Sequence, residues 1–265
     1  MNAEGKCVER CKIVRHSKIS QEYYLMELGA PHISRGAKPG MFVHVLVDAP
    51  EGFILRRPFS LLEAENNAVR FVYKVVGEGT KTLSEKRAGE FLNVLGPLGN
   101  PYAVDSGTKR IILVAGGYGV SPTYYLSREL KKKRFTGEII SIIGARTKSL
   151  LMYQKEFQKI GVKVFITTND GSSGQKGIVT DILQNIFHEG ASKPETQVFA
   201  CGPYAMLKEV ASLCAKFSVP CQVSMEQQLG CGLGACLGCV IKTARGYERV
   251  CTEGPVFNAE DVIWE

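Results

Sequence analysis

Four cysteines near the end of the chain, Cys231, Cys236, Cys239 and Cys251, have a spacing with a defined chemistry. Written C-x4-C-x2-C with a fourth Cys downstream, it is the plant-type pattern for a [2Fe–2S] cluster, in which four thiolates complete the coordination of two irons. Gly232, Gly234 and Gly238 punctuate the same loop, and a loop wrapped around a cluster needs tight turns and bare amides directed at sulfur. A zinc site is the main competitor. Zinc usually takes two short Cys pairs, whereas here one compact triplet is followed by a distant Cys. Buried thiols acting as small hydrophobes suit Cys214 and Cys221 better than they suit the quartet. Cys7 and Cys11 fall on one face of an expected strand and are read as structural.

A second group has the composition of a phosphate site. The apolar run Arg110–Ala115 enters Gly116-Gly117-Tyr118-Gly119-Val120-Ser121-Pro122, after which a helix is expected. A strand, a Gly-rich turn and a helix N-terminus let backbone N–H groups approach a pyrophosphate, with Pro122 suited to the first helical turn. The spacing is not G-x-G-x-x-G, so the glycines taken alone are equally compatible with a tight turn. Cys201-Gly202-Pro203 closes the last apolar strand, where open parallel sheets place their ligands. Cys201 is therefore a candidate to face a nicotinamide, with a buried thiol as the alternative.

A third group, Arg56-Arg57-Pro58-Phe59-Ser60, offers what a flavin dinucleotide needs. An Arg fork can pair with pyrophosphate, an aromatic can pack on the isoalloxazine, and a hydroxyl can bond near its reactive nitrogen. A strand end with a core Phe and surface arginines is the plainer reading. Gly77-Glu78-Gly79-Thr80 adds free amides and a hydroxyl before a short helix, Thr80–Glu85. A hairpin or capping turn competes with that role.

These groups need elements to hold them. Short strands are expected at Val8–Val14, Tyr23–Leu28, Phe42–Val47, Phe53–Arg56, Ala68–Val76 and Phe91–Leu95, a spacing that predicts a small antiparallel barrel. After the Gly/Pro-rich break 96–101 the pattern alternates. Strands at Arg110–Ala115, Glu138–Ile143, Val162–Thr167 and Gln197–Cys201 interleave with helices near Pro122–Arg134, Leu150–Ile160, Val179–Phe187 and Tyr204–Phe217. That alternation predicts a parallel sheet covered on both faces. The expected division is a β-barrel domain over 1–101, an α/β domain over 102–218 and a small metal-binding domain over 219–265.

Composition excludes several classes. A hydrophobic fraction of 45% with 22% charged residues is that of a globular chain, and no window is long and apolar enough for a membrane span. Nine scattered cysteines suit reduced thiols plus a metal site better than a disulfide framework. The opening residues lack an apolar core and a cleavage site, which gives a cytoplasmic reading. The densest part of the +7 charge, Lys131 to Arg134, ends an expected helix and is read as a solvated helix end rather than a nucleic-acid patch.

In order along the chain, R-x-F-S, G-x-G-T, G-G-x-G-x-S-P with C-G-P, and C-x4-C-x2-C-x11-C resemble the ferredoxin–NADP reductase-like superfamily. Within it the chain is similar to the electron-transfer subunits of NAD-dependent (type B) dihydroorotate dehydrogenase. The resemblance runs over essentially the whole length, including Gly254 to Glu260 after the last cysteine. It implies FAD binding by Arg57, Pro58, Phe59, Ser60, Val72, Tyr73, Lys74, Gly79 and Thr80. For NAD it implies Gly116, Gly117, Gly119, Val120, Ser121, Pro122, Cys201, Gly202 and Pro203. The segment Thr168 to Ser172 also resembles the family pattern. Phe59 stands where such subunits often carry an aliphatic residue.

The implied function is to pass electrons from an FMN-containing catalytic subunit, which oxidises dihydroorotate, through [2Fe–2S] and FAD to NAD in pyrimidine biosynthesis. The expected assembly is a heterotetramer, and no catalytic acid or base is expected in this chain. Two other readings compete: a subunit of a bifurcating or sulfide-linked NAD(P)H:ferredoxin oxidoreductase, and a redox-sensing flavin and iron–sulfur module. The bifurcating relative commonly has Asp as its first cluster ligand, and Cys231 argues against it. Arg146 and Lys148 are candidates either for a 2′-phosphate contact or for plain solvent exposure.

Overall fold

The computed structural model describes residues 5–47, 54–190 and 195–265. Residues 1–4, used above in reading the N-terminus, and Phe53 of the expected strand Phe53–Arg56 lie outside them. The first unit is a closed six-stranded antiparallel barrel made of β1 (Cys7–Lys18), β2 (Tyr23–Gly29), β3 (Phe42–Leu46), β4 (Arg57–Glu65), β5 (Ala68–Lys74) and β6 (Phe91–Leu98), in the order β1-β2-β5-β4-β3-β6. Closure removes the unpaired edges that an open sheet of this size would expose. Alternation supplies the core: Cys11 and Ile13 of β1, Met26 and Leu28 of β2, and Phe59 and Leu61 of β4 all point inward. Burial pushes the Cys11 thiol up to about 12, so it sits there as an apolar group. Asn66 and Asn67, both with positive φ, form the two-residue hairpin between β4 and β5, a turn that matches the strand twist.

The barrel corrects one expectation. Ile54–Arg56 is not a strand, and the strand instead starts at Arg57 and runs nine residues to Glu65. Two helices accompany the barrel, α1 (Pro31–Gly36), which was not anticipated, and α2 (Glu78–Glu85).

The second unit is a seven-stranded sheet. It contains β7 (Arg110–Gly116), β8 (Glu138–Ala145), β9 (Lys163–Thr168), β10 (Gln175–Lys176), β11 (Thr196–Cys201), β12 (Cys221–Ser224) and β15 (Val256–Asn258), ordered β10-β9-β8-β7-β11-β12-β15. All pairs are parallel except β12 with β15. The helices α3 (Val120–Lys132), α4 (Gln154–Lys159), α5 (Val179–His188) and α6 (Tyr204–Phe217) make the crossovers. The central strands are buried on both sides, which is why they read as continuous apolar runs. Two strands of the 219–265 stretch, β12 and β15, thus hydrogen-bond into this sheet, while β13 (Val240–Thr243) and β14 (Gly246–Arg249) form a separate hairpin.

Barrel and sheet meet along α3. The Tyr125 hydroxyl donates to the Ala37 carbonyl at 3.0 Å, and Arg128 and Lys132 pair with Glu63 and Glu65 of β4. The basic run Lys131–Arg134 is therefore not simply solvated. Lys132 bridges Glu65 and Glu129, and Lys131 donates to the Gly161 carbonyl. Among the described residues, no helix is long and apolar enough to cross a membrane.

Candidate cofactor sites

The chain runs β7, β8, β9 to one side of the sheet and then returns through β11 and β12 on the other, so the strand order reverses between β7 and β11. Open α/β sheets bind ligands at that reversal, beyond the carboxyl ends of the strands. Both sequence groups assigned to NAD lie there, with Ala115 of β7 in register with Cys201 of β11. The backbones touch. A Cβ on Gly119 would lie 2.2 Å from the Cys201 carbonyl oxygen, and one on Gly116 would lie 2.9 Å from Pro203 Cδ.

A cavity of about 550 Å³ opens over this turn, lined by Gly116, Gly117, Tyr118, Gly202 and Pro203 together with Tyr23, Lys74, Arg146, Asn169 and Glu226. Gly119, Val120, Ser121 and Pro122 are buried beneath it as the start of α3. Cys201 is 2% exposed and does not line the cavity. Burial drives its thiol above the ordinary range. Arg146 faces the cavity, whereas the Lys148 main chain is taken up in a loop where its N–H donates to Ser172 Oγ at 2.8 Å.

The barrel carries a second cavity, of about 480 Å³. Arg57, Pro58, Phe59 and Ser60 from β4, Val72, Tyr73 and Lys74 from β5, and Thr80 from α2 all line it. Their arrangement suits a flavin dinucleotide in one telling detail. A Cβ on Gly79 would lie 2.9 Å from Arg57 Nε, so the guanidinium occupies the space that a side chain on α2 would fill. Other groups are already engaged. Thr80 Oγ1 accepts the N–H groups of Val76 and Gly77 and donates to the Gly77 carbonyl, so it closes the turn rather than standing free for a phosphate. Phe59 stacks on Phe71 with ring centroids 4.6 Å apart and planes 5° apart, which commits one of its faces to the core. Lys74 pairs with Glu22 at 2.7 Å.

The two cavities share Lys74, Tyr118 and Glu226. From Met225 to Leu229 the chain leaves β12, lines the barrel cavity and then enters the cysteine loop. Glu226 opens onto both cavities, yet protein atoms crowd it enough that desolvation raises its carboxyl pKa, partly offset by the Tyr118 hydroxyl. Sequence reasoning passed over Glu226. The polar run Met225-Glu226-Gln227-Gln228 directly after an apolar strand was the available signal.

In the cysteine loop, Gly232 and Gly234 adopt positive φ, as does Leu237, and Gly238 does not. The thiols interact in two pairs, Cys231 with Cys236 and Cys239 with Cys251. Four thiols in the C-x4-C-x2-C…C spacing, on a loop that turns at Gly232 and Gly234 and sends the Leu233 N–H to Cys231 Sγ at 3.4 Å, fit a [2Fe–2S] group. Cys231 is partly desolvated, which opposes ionisation, but backbone N–H groups of Leu233, Cys236 and Ala235 prevail and favour its thiolate. Burial and the neighbouring Cys239 hold the Cys251 thiol up. Arg249 braces the two halves of the site, donating to the Gly234 carbonyl at 3.1 Å and gripping the Glu253 carboxylate through Nε and Nη2.

Barrel, nicotinamide-type sheet and cysteine loop together define a flavin- and iron–sulfur-dependent oxidoreductase subunit. Residues 226–263 match the iron–sulfur cluster binding domain of dihydroorotate dehydrogenase B, and residues 113–212 match the oxidoreductase NAD-binding domain. The chain is 40% identical over 263 residues to the dihydroorotate dehydrogenase B (NAD(+)) electron transfer subunit of Geobacillus sp., with 96% of this chain and 98% of that one covered. It is 39% identical over 259 residues to that of Bacillus pumilus, covering 94% and 96%. The chain belongs to the family of dihydroorotate dehydrogenase B electron transfer subunits. Among solved structures, a chain of the NADH-dependent reduced ferredoxin-NADP oxidoreductase superposes with a TM-score of 0.86 at 32% identity, covering 97% of this chain and 90% of that one. The ferredoxin-NADP+ reductase of Plasmodium falciparum, at 16% identity and a TM-score of 0.66 over 79% of this chain and 91% of that one, shares the fold.

Proposed function

We propose that this chain takes electrons from an FMN-containing catalytic subunit that oxidises dihydroorotate and delivers them through [2Fe–2S] and FAD to NAD+. When bound, the cluster carries single electrons, the flavin exchanges single electrons for a pair, and the nicotinamide takes a hydride. The observation that carries this reading is the sharing of walls. The barrel cavity has Tyr118 and Glu226 in common with the nicotinamide cavity on one side, and Gln227 to Leu229 and Val250 of the cysteine arm on the other.

The residue roles follow. Arg57 pairs with the FAD pyrophosphate; Phe59, Ser60 and Val72 to Lys74 surround its ring system; Gly79 and Thr80 shape the turn beside Arg57. The turn Gly116–Pro122 with Gly202 and Pro203 receives NAD, and Cys201 backs that turn from below. Cys231, Cys236, Cys239 and Cys251 hold the cluster. The working units are the barrel over 1–101, the nicotinamide unit over 102–218 and the cluster arm over 219–265, assembled with the partner as a cytoplasmic heterotetramer.

The purified chain loaded with FAD and iron–sulfur should reduce dyes with NADH and leave dihydroorotate untouched until the catalytic subunit is added. Dihydroorotate turnover by the chain alone would sink this division of labour. A bifurcating oxidoreductase subunit is the second reading, favoured by the 0.86 TM-score to the NADH-dependent reduced ferredoxin-NADP oxidoreductase. The thiol at Cys231 in place of a carboxylate supports the first.

A further inference from the structure

Strand β3 carries a histidine that none of the roles above uses. His44 is completely buried, at 0% exposure, and neither ring nitrogen has a hydrogen-bond partner. A buried imidazole with both nitrogens unsatisfied is costly, and an aliphatic residue in the same place would carry no such cost. What lies around the ring indicates its use. A Cβ on Gly232 would sit 2.6 Å from His44 Nδ1, so the cysteine loop lies directly on the imidazole at the residue after Cys231. Leu98 Cδ1 is 3.3 Å from that same Gly232 position, and the strand neighbours of His44 are Pro58 and Leu95. Pro58 has no N–H, and the two leucines offer no polar side chain. The polar groups within reach are main-chain ones at Arg56 and Cys231. The register adds a second link, because Pro58, opposite His44, belongs to the Arg57–Ser60 segment that lines the barrel cavity.

We propose that His44 is a positioning residue for the iron–sulfur site: its ring N–H is the donor that the Cys231–Gly232 main chain engages when the cluster is in place. That contact fixes the orientation of Cys231 against the flavin barrel and sets the cluster's potential. Outer partners of this kind orient metal ligands. A ring N–H that holds the Cys231–Gly232 main chain also holds the amides that this loop turns on sulfur, such as the Leu233 N–H on Cys231 Sγ, and such bonds to the sulfurs raise the potential by favouring the more negative, reduced state. The glycine at position 232 follows from the same contact, since any side chain there would collide with the ring. This inference rests on Cys231 being a cluster ligand.

The experiment uses the chain loaded with FAD and iron–sulfur, in wild-type form and as His44→Leu and His44→Asn. The readouts are the cluster midpoint potential, by EPR-monitored redox titration, and the EPR line shape. His44→Leu should shift the oxidised-to-reduced ratio at a fixed potential about tenfold towards oxidised, on the order of 59 mV for one electron, and alter the g-values. His44→Asn, which keeps a donor, should recover most of the shift. An unchanged potential and spectrum in His44→Leu overturns the proposal, and so does an equal shift in both variants, which would mean that ring volume alone matters. If His44→Leu does not load the cluster, alkylation of Cys231 in the apo chains decides: a several-fold faster reaction in His44→Leu than in wild type supports the role, and equal rates overturn it. Cys231→Ser separates the two levels of the inference, since an intact wild-type cluster signal in that variant defeats the ligand assignment itself.

Discussion

The Tyr118 hydroxyl donates to Glu226 Oε2 at 3.0 Å, across 108 residues of sequence, and this pair stands where the barrel cavity and the cavity over the Gly116–Gly119 turn adjoin. Desolvation raises the Glu226 pKa above its ordinary 4.5, so the folded chain holds this proton more tightly than the unfolded chain does. The stabilisation linked to that proton is complete below 4.5 and is lost as pH rises through the raised folded value. Ionisation of this carboxyl is therefore disfavoured in the folded chain relative to the unfolded one. Glu226→Gln should therefore raise the melting temperature at pH 7, with the advantage shrinking as pH falls towards 4.5. Thermal melts of both proteins across that range check this, and an equal advantage at pH 4 and pH 7 would refute it.

Gly79→Ala tests the barrel cavity without removing a polar group. The new methyl would meet the Arg57 guanidinium at 2.9 to 3.2 Å, and a flexible side-chain end can move aside cheaply. In a helix, Ala is favoured over Gly by up to about 1 kcal/mol, so the apo chain should be at least as stable. Displacing Arg57 should weaken FAD roughly tenfold, about 1.4 kcal/mol. A flavin fluorescence titration measures this. Unchanged affinity would remove Arg57 from the pyrophosphate site.

Gly119→Ala is different because backbone lies on the other side. Its methyl would sit 2.2 Å from the Cys201 carbonyl oxygen and 2.9 Å from the Gly202 nitrogen. The turn and the Cys201–Pro203 strand end must separate, at a cost of about 1–3 kcal/mol for overpacking. Lower thermal stability together with a several-fold higher KM for NADH is expected. Wild-type values for both would mean that the two segments do not form one site.

Arg249→Met removes the brace across the cysteine loop, including the bonds to Gly234 and Glu253. The cluster should be lost several-fold faster in the presence of a chelator, while FAD content stays at the wild-type ratio. Visible absorbance decay with iron and flavin analysis reads both. Equal decay rates would show that Arg249 is only a surface cation.

The features written locally in the chain were legible. The C-x4-C-x2-C spacing, the glycine turn after an apolar strand and the alternation of β7 to α6 each depend on residues close together in sequence. Failures came where a residue's meaning depends on a distant partner. Strand β4 looked like a strand end because Arg57, Pro58, Glu63 and Glu65 are poor strand residues. Glu63 is held by Arg70 and Arg128, the latter 65 positions away and on α3. His44 carries no local signal for the same reason, since its contact with Gly232 exists only when the cysteine arm folds back over the barrel. For Thr80 and Phe59 the sequence leaves a flavin role and a plain one open, a capping turn and a core Phe, and their engagement by Gly77 and Phe71 is what the fold adds.

The cysteine arm leaves the nicotinamide sheet at β12 and returns to it at β15, which pairs antiparallel with the strand it left. It is therefore a loop hemmed into a sheet edge rather than a bead on a string. Recombination that moved only the cysteines and their loop into another reductase would leave β12 without its outer neighbour and the loop without its anchor. A transplant has to carry Cys221 through Asn258 as one piece and to find a recipient sheet with a free parallel edge. The place of the cysteine loop is thus set by weaving, and a chimera that respects the weave should inherit that placement without redesign.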